Sequence, residues 1–313
     1  MKNRPFQKGI LNHCYQRSAD GGLIFYCQSD YLVWFTTVCV AAAKHKIKVL
    51  ALCPMPDHTH MSVMADSVQE LSAFMGEANR RFSSAHNQVC NTKIAWFEHT
   101  FGSAVKKGAK EARSNLVYVG NNPVERQLAA NAEDYRWTFV AYAQSNHPFS
   151  EKLVIHNASW HMKNAIREIR AQYNSGKPLR YNQLKRIMTK LDVREKQQLT
   201  DFIIVTYNVI DYADTLRFFD GEYENYRMAL HTTTGHEYDL NETFVGRSDA
   251  HYSTMVKAIL AGKRLTDIHD FLSWPAEERQ KLVPLLRGKT RATEAQIKKF
   301  LHLRRERLSS TRT

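Results

Sequence analysis

In "LALCPMPDHTHMSVMAD" His58 and His60 stand one residue apart in an otherwise apolar run, and in "NLVYVGNNPVERQ" Tyr118 and Asn122 stand four apart. On a strand, alternate side chains share a face, so two imidazoles spaced as i and i+2 sit roughly 6.5 to 7 Å apart along the backbone. That spacing suits two nitrogen donors converging on one cation, with Asp57 placed to orient a ligand ring from behind. The other reading of the same spacing is two partly exposed histidines on an edge strand. On a helix, positions i and i+4 share a face, so Tyr118 offers a nucleophilic phenol and Asn122 an oxygen ligand one turn later. An aromatic helix face packed in the core, with an asparagine at the helix end, fits that pattern equally. Neither HExxH nor CxxC supplies the further ligand that a zinc enzyme would need.

Elements that would position these residues are legible along the first half. "GILNHCYQR" and "GLIFYCQ", separated by "SADGG", read as a β-hairpin. Asp30 is placed to cap an apolar helix, "YLVWFTTVCVAAAKHK", with basic residues in its last turn. Next come "IKVLALCPM" and "HTHMSVMAD", two strand-type runs split by Pro54 and Pro56. Ser67 and Glu70 form a capping box for "VQELSAFMGEANRRFSSAHN". "IAWFEHTFGSAV" reads as extended, and "KKGAKEARSNLVYV" as a helix stopped near "GNNP" by glycine, asparagine and Pro123. The expected architecture is α+β, an antiparallel sheet with helices on one face.

After about residue 150 the periodicity is helical throughout, including one long run, "REKQQLTDFIIVTYNVIDYADTL". Pro148 and its polar neighbours mark a boundary, dividing the chain into 1–148 and an all-α domain, 149–313. Within the latter, residues 273–307 suggest a helix-turn-helix module: Ser273 and Pro275 at a helix start, the basic turn "RGKTR", and Thr293 with Gln296 boxing a final basic helix. A generic pair of antiparallel helices has the same appearance.

The 313 residues carry a net charge of +13 and a pI near 9.5, which favours polyanionic partners, nucleic acid first. No apolar run approaches the ~20 residues of a membrane span, and "MKNRPFQKGI" lacks a secretory h-region, so the expectation is no membrane and a cytoplasmic location. Cys14, Cys27, Cys39, Cys53 and Cys90 lack CxxC spacing, which argues against a disulfide framework and against a cysteine zinc site; reduced, packed thiols are expected.

"MPDHTHMSV" followed some sixty residues later by "YVGNNPV" resembles the HUH single-tyrosine transposases, closest to the REP-associated tyrosine transposases, with their strand-borne MPxHxH and helix-borne YxxxNPV. "AWFEHTF" and "AEDYRWTFVAY" look like segments that flank those motifs, and the match runs from roughly residue 8 to 145. Thr59 departs from the bulky apolar residue usual there, and the helical half is longer than the minimal family core.

The resemblance implies a ferredoxin-like, RRM-like sheet in a bacterial, nucleoid-associated enzyme that nicks and rejoins single-stranded or hairpin DNA through a 5′-phosphotyrosine. His58 and His60 match its metal-binding histidines, Tyr118 its nucleophile and Asn122 its third-ligand position, with Mg²⁺ or Mn²⁺ as the cofactor and no small-molecule cofactor. Lys106, Lys107, Lys110 and Arg113 before Tyr118 are candidates for backbone phosphates, as are Arg291, Lys298 and Lys299 in the last module. Trp96, Phe97 and Trp137 offer stacking surfaces, with core packing the expectation for at least two. The chain is expected to be a monomer or homodimer. A DNA-binding regulator that keeps the fold without turnover, and a zinc hydrolase, are the alternatives.

Overall fold

The computed structural model describes residues 6–232, 248–263, 265 and 267–303. Four strands, β1 (Leu11–Arg17), β2 (Lys48–Met55), β3 (His58–Met64) and β4 (Gly102–Lys106), form one antiparallel sheet in the order β2-β3-β1-β4. With α1 (Gln28–Lys44) after β1 and α2 (Val68–Cys90) after β3, the path is βαββαβ, the ferredoxin-like arrangement. The expected α+β sheet is therefore present. Helices α1 and α2 lie on one face, over Cys14, Leu52, Met61 and Val63. The opposite face carries α3 (Gly108–Glu125), packed on Leu11, Ala51, Cys53 and Met55. β3 is buried along nearly its whole length because it is covered from both sides.

Several local expectations give way to packing. "GLIFYCQ" pairs with no strand among the described residues. Ile24 and Phe25 donate their N–H groups to the Pro56 carbonyl (2.7 and 3.0 Å), and Tyr26 and Cys27 donate to the Asp30 carboxylate (2.7 and 3.0 Å), so the run becomes the lead-in to α1. α3 does not stop at "GNNP" but continues through Pro123 to Glu125, where the missing proline N–H falls in the last turn. Gly120 is not a helix stop. A Cβ there would lie 2.6 Å from Leu230 of α8 (Tyr223–Thr232), so glycine lets α8 approach. Pro54 is accommodated because β2 is an edge strand of the sheet.

Helices α4 (Trp160–Asn174), α5 (Tyr181–Met188) and α6 (Val193–Tyr207) pack outside α1 and α2, and side chains from both sides of position 148 share one core. The long run expected from residue 194 is broken: α6 ends at Tyr207 and α7 spans Tyr212–Arg217. Asn208 accepts from the Ile210 N–H, Asp211 caps α7 by accepting from Asp214, and the Asp211 N–H reaches the Val49 carbonyl of β2 at 2.8 Å. The break exists so that this segment can lie along the sheet edge, where the irregularity between Val49 and Ala51 turns the Leu50 carbonyl to the Thr215 hydroxyl.

The last described elements are α9 (Ala250–Lys263), α10 (Ala276–Gln280), α11 (Val283–Lys289) and α12 (Glu294–Phe300), the last with the expected Thr293–Gln296 box. Residues 304–307 of the suggested helix-turn-helix lie outside the described residues. No helix among the described residues is long and apolar enough to cross a membrane.

Asp201 on α6 ties down the segment linking the two halves. Its buried carboxylate accepts from the Tyr142 hydroxyl (2.6 Å), the Ser150 hydroxyl (2.9 Å) and the Phe149 N–H (3.1 Å), and lies 3.4 Å from Arg136. Removing one member of such a buried set leaves the others unpaired. Asp201→Ala should cost about 3–5 kcal/mol in urea unfolding; a loss under about 1 kcal/mol would show that the set does not hold the segment.

Candidate active site

The register of the sheet decides which side chains meet. Tyr15 stands opposite His60, His13 opposite Ser62 and Arg17 opposite His58, so His58, His60 and Ser62 share a face with His13, Tyr15 and Arg17. That face looks at α3. β3 is an inner strand, so the edge-strand reading of the two histidines does not hold. The His58 and His60 rings lie 4.7 Å apart between centroids, and Tyr118 sits edge-on to His60 at 5.3 Å. Strand and helix thus bring both imidazoles and the phenol into one pocket.

His13, which the sequence reading did not single out, completes the cluster. Its Nε2 lies 3.0 Å from His60 Nδ1, and its ring is 5.5 Å from that of Tyr118. The only local signal was a histidine on an alternating strand; the β1–β3 register that gives it meaning is not written locally. His58 is held in the same manner, with Nδ1 2.6 Å from Asp57 Oδ1, as expected of an orienting carboxylate. Both rings are gripped through Nδ1, so a cation would be held through Nε2 of each. Asn122 lies on the same α3 face as Tyr118, and its Nδ2 donates back to the Tyr118 carbonyl at 3.2 Å, so Oδ1 is the atom it could offer to a cation. Asn115, one turn before Tyr118, accepts from the Ser62 hydroxyl at 2.7 Å and so joins α3 to β3 beside the histidines. Two imidazoles and an amide oxygen are donor types suited to a divalent cation.

The pocket is closed. His13 and His60 are fully buried, Tyr118 is 4% exposed and His58 9%. From the C-terminal half, α8 packs on α3 through the Asn121 amide to the Leu230 carbonyl (2.8 Å), and Lys299 of α12 pairs with the other oxygen of Asp57. Burial alone would raise the Asp57 pKa, but His58 and Lys299 hold the carboxyl well below the usual carboxylate range. The buried Arg126–Asp249 pair (2.7 Å) joins the end of α3 to the start of α9.

Of the basic candidates, Lys107, Lys110, Arg113, Arg291 and Lys298 are exposed and Lys106 is half-buried, whereas the Lys299 ammonium is engaged by Asp57. Trp96, Phe97 and Trp137 are all core residues. Trp137 stacks on Tyr31 at 4.6 Å, and the Trp96 N–H donates to Asn87.

No model of a known protein family matches the chain, and no curated protein matches it. Among solved structures the chain is similar to one described as the REP-associated tyrosine transposase bound to a REP hairpin. The identity is 14% and the TM-score 0.40, over 49% of this chain and 93% of that one.

The Lys299–Asp57 contact generates a stability expectation. Both side chains retain some solvent, 13% and 21%, which discounts the pair. Lys299→Met should cost about 1–3 kcal/mol in denaturant unfolding; an unchanged midpoint would mean that α12 is held by its apolar side chains alone.

Proposed function

We propose that the chain is a metal-dependent single-stranded DNA nicking and strand-transfer enzyme of the transposase type, with Tyr118 as nucleophile and residues 1–148 as its catalytic part. The observation that carries this reading is the pocket shared by His58, His60 and Tyr118, with the His60 and Tyr118 rings 5.3 Å apart. His58 and His60, aimed by Asp57 and His13, would hold Mg²⁺ or Mn²⁺ with Asn122 as the third ligand. When bound, such a cation polarises the scissile phosphate and stabilises its developing charge.

The residues of the chain do the rest. The Tyr118 phenol oxygen attacks phosphorus, forming a 5′-phosphotyrosine as the bond to the 3′ oxygen breaks. The phenol gives up its proton and the 3′ oxygen gains one, leaving a free 3′-hydroxyl. A phenol of pKa near ~10 is a weak nucleophile at neutral pH, so its competence rests on being held in line in a water-poor pocket. The tyrosyl phosphodiester keeps the energy of the bond that was broken, so another strand's 3′-hydroxyl can reverse the step without ATP. Lys107 just before α3 and Lys110 and Arg113 on its first turns are exposed and supply cations for backbone phosphates, and the net charge of +13 supports a DNA partner. Arg291 and Lys298, exposed on the last module, are further candidates for phosphate contacts, and hairpin or palindromic single strands are the proposed substrate.

The closure of the pocket favours a second reading, a DNA-binding regulator without turnover, because a phosphodiester reaches Tyr118 only if the shell over it yields. One assay separates the two. With a labelled single-stranded hairpin library and Mg²⁺ or Mn²⁺, the intact chain should form a covalent DNA adduct, and Tyr118→Phe should abolish it while binding persists. Binding with no adduct from the intact chain selects the regulator; an undiminished adduct in the phenylalanine variant removes Tyr118 from the chemistry. Replacing His58 and His60 by alanine should reduce cleavage by at least about 100-fold, and cleavage that proceeds equally well in chelator contradicts the metal role.

A further inference from the structure

On the face of the sheet opposite that pocket, a second set of chemistry-bearing side chains meets where α1, α2 and the 3-10 turn Ile268–Ser273 come together. One donor atom from each of His86, Cys90 and His269 lies within 4.8 Å of the others, and the same holds for Cys27, Asp30 and His269. His269 belongs to both groups. His86, Cys90 and His269 are at most 2% exposed, and Cys27 is half-buried at the start of α1.

The surroundings are arranged as ligand surroundings are. His86 Nδ1 is 2.7 Å from the Tyr181 hydroxyl, which fixes the ring, while its Nε2 is buried and has no hydrogen-bond partner among the described residues. An orphaned buried nitrogen is destabilising unless something binds it. His269 Nδ1 is 2.6 Å from Asp267 Oδ1, the carboxylate–imidazole contact that orients metal-binding histidines, and its Nε2 faces Asp30 Oδ1 at 2.8 Å. His86 and Cys90 are one turn apart on α2, so a single helix face offers a nitrogen and a sulfur. A cleft lined by Cys27, Asp267 and His269, and by the exposed Lys177 and Lys185, reaches the cluster from the surface.

We propose that Cys27, His86, Cys90 and His269 form a structural zinc site that clamps the C-terminal segment to α1 and α2. Tetrahedral zinc with bonds of ~2.0–2.3 Å places ligand atoms ~3.3–3.8 Å apart; His86, Cys90 and His269 are already gathered within 4.8 Å of one another, and Cys27, gathered with His269 and Asp30 in the second group, reaches the fourth position by a turn of its side chain. Two thiolates cancel the charge of the ion, and two neutral imidazoles complete a closed, buried, four-coordinate site of the structural kind. Asp30 keeps the N–H groups of Tyr26 and Cys27 and the Tyr181 hydroxyl as partners. Binding releases one proton from each thiol and one from His269, whose Nε2 exchanges its proton and its contact with Asp30 for the ion. Burial pushes both thiols up, so zinc competes with protons and its affinity falls as pH falls. The site joins residues more than 240 positions apart in sequence, from Cys27 to His269, in place of the covalent cross-link that the chain lacks.

The test uses the full chain purified without chelator. Elemental analysis should find about one zinc per chain, and cobalt exchanged into the protein should show a thiolate-to-cobalt absorption band. The zinc should persist when His58 and His60 are both alanine, which keeps this site distinct from the pocket of the proposed reaction. Cys90→Ser should weaken zinc binding at least about tenfold and diminish the cobalt band. Should that variant fail to fold, the cobalt spectrum of the unaltered chain decides. Less than about a tenth of an equivalent of zinc, with no thiolate band on cobalt addition, overturns the proposal and leaves a hydrogen-bonded cluster. Zinc that is lost with His58 and His60 and kept in Cys90→Ser also overturns it.

Discussion

The pairing of β3 between β1 and β2 is the constraint on which the pocket depends. Because side chains alternate along a strand, a slip of one residue in the β1–β3 register would turn His58 and His60 toward α1 and α2 and bring Met61 to α3. The register is held from both sides. Met61 and Val63 are drawn into the core under α1 and α2, while Ser62 is hydrogen-bonded to Asn115 of α3. His13 then falls diagonally beside His60, where the two rings fix each other.

Burial gives the pocket its chemistry and limits access to it. Although Asp57 keeps some contact with solvent, His58 and Lys299 keep its carboxyl ionised against the cost of its partial burial. The closed pocket suits the proposed in-line attack by the Tyr118 phenol, and that attack requires the cover to yield before a strand can enter. Much of that cover comes from the C-terminal half, through α8 on α3, Lys299 on Asp57 and Asp249 on Arg126. The helices after residue 148 are therefore packed against the elements that carry the proposed reaction, and the cluster around His269 anchors the same half on the opposite face.

Where local reading failed, a long-range partner had outbid a local preference. Residues 23–27 have strand-like composition, yet the Pro56 carbonyl and the Asp30 carboxylate take their N–H groups. Gly120 and Pro123 look like a helix end, but the approach of Leu230 and the burial of Pro123 keep them inside α3. The periodicity from residue 194 to 216 hides a break that serves the β2 edge. The capping residues Ser67 and Thr293 were legible because they bond within three positions of themselves.

By itself the sequence determined the strand that bears His58 and His60, the helix that bears Tyr118 and Asn122, the orienting role of Asp57 and the basic character of the chain. These follow from alternation, helical spacing and charge, which act over a few residues or need no structure at all. Only the tertiary structure decided that His13 stands beside His60, that α3 closes the second face of the sheet, that Lys299 meets Asp57, and that His269 meets His86 and Cys90 on one side and Cys27 and Asp30 on the other. Each of those depends on strand register or helix packing between segments dozens to hundreds of residues apart, and contacts of that range leave no periodic trace in the order of the residues.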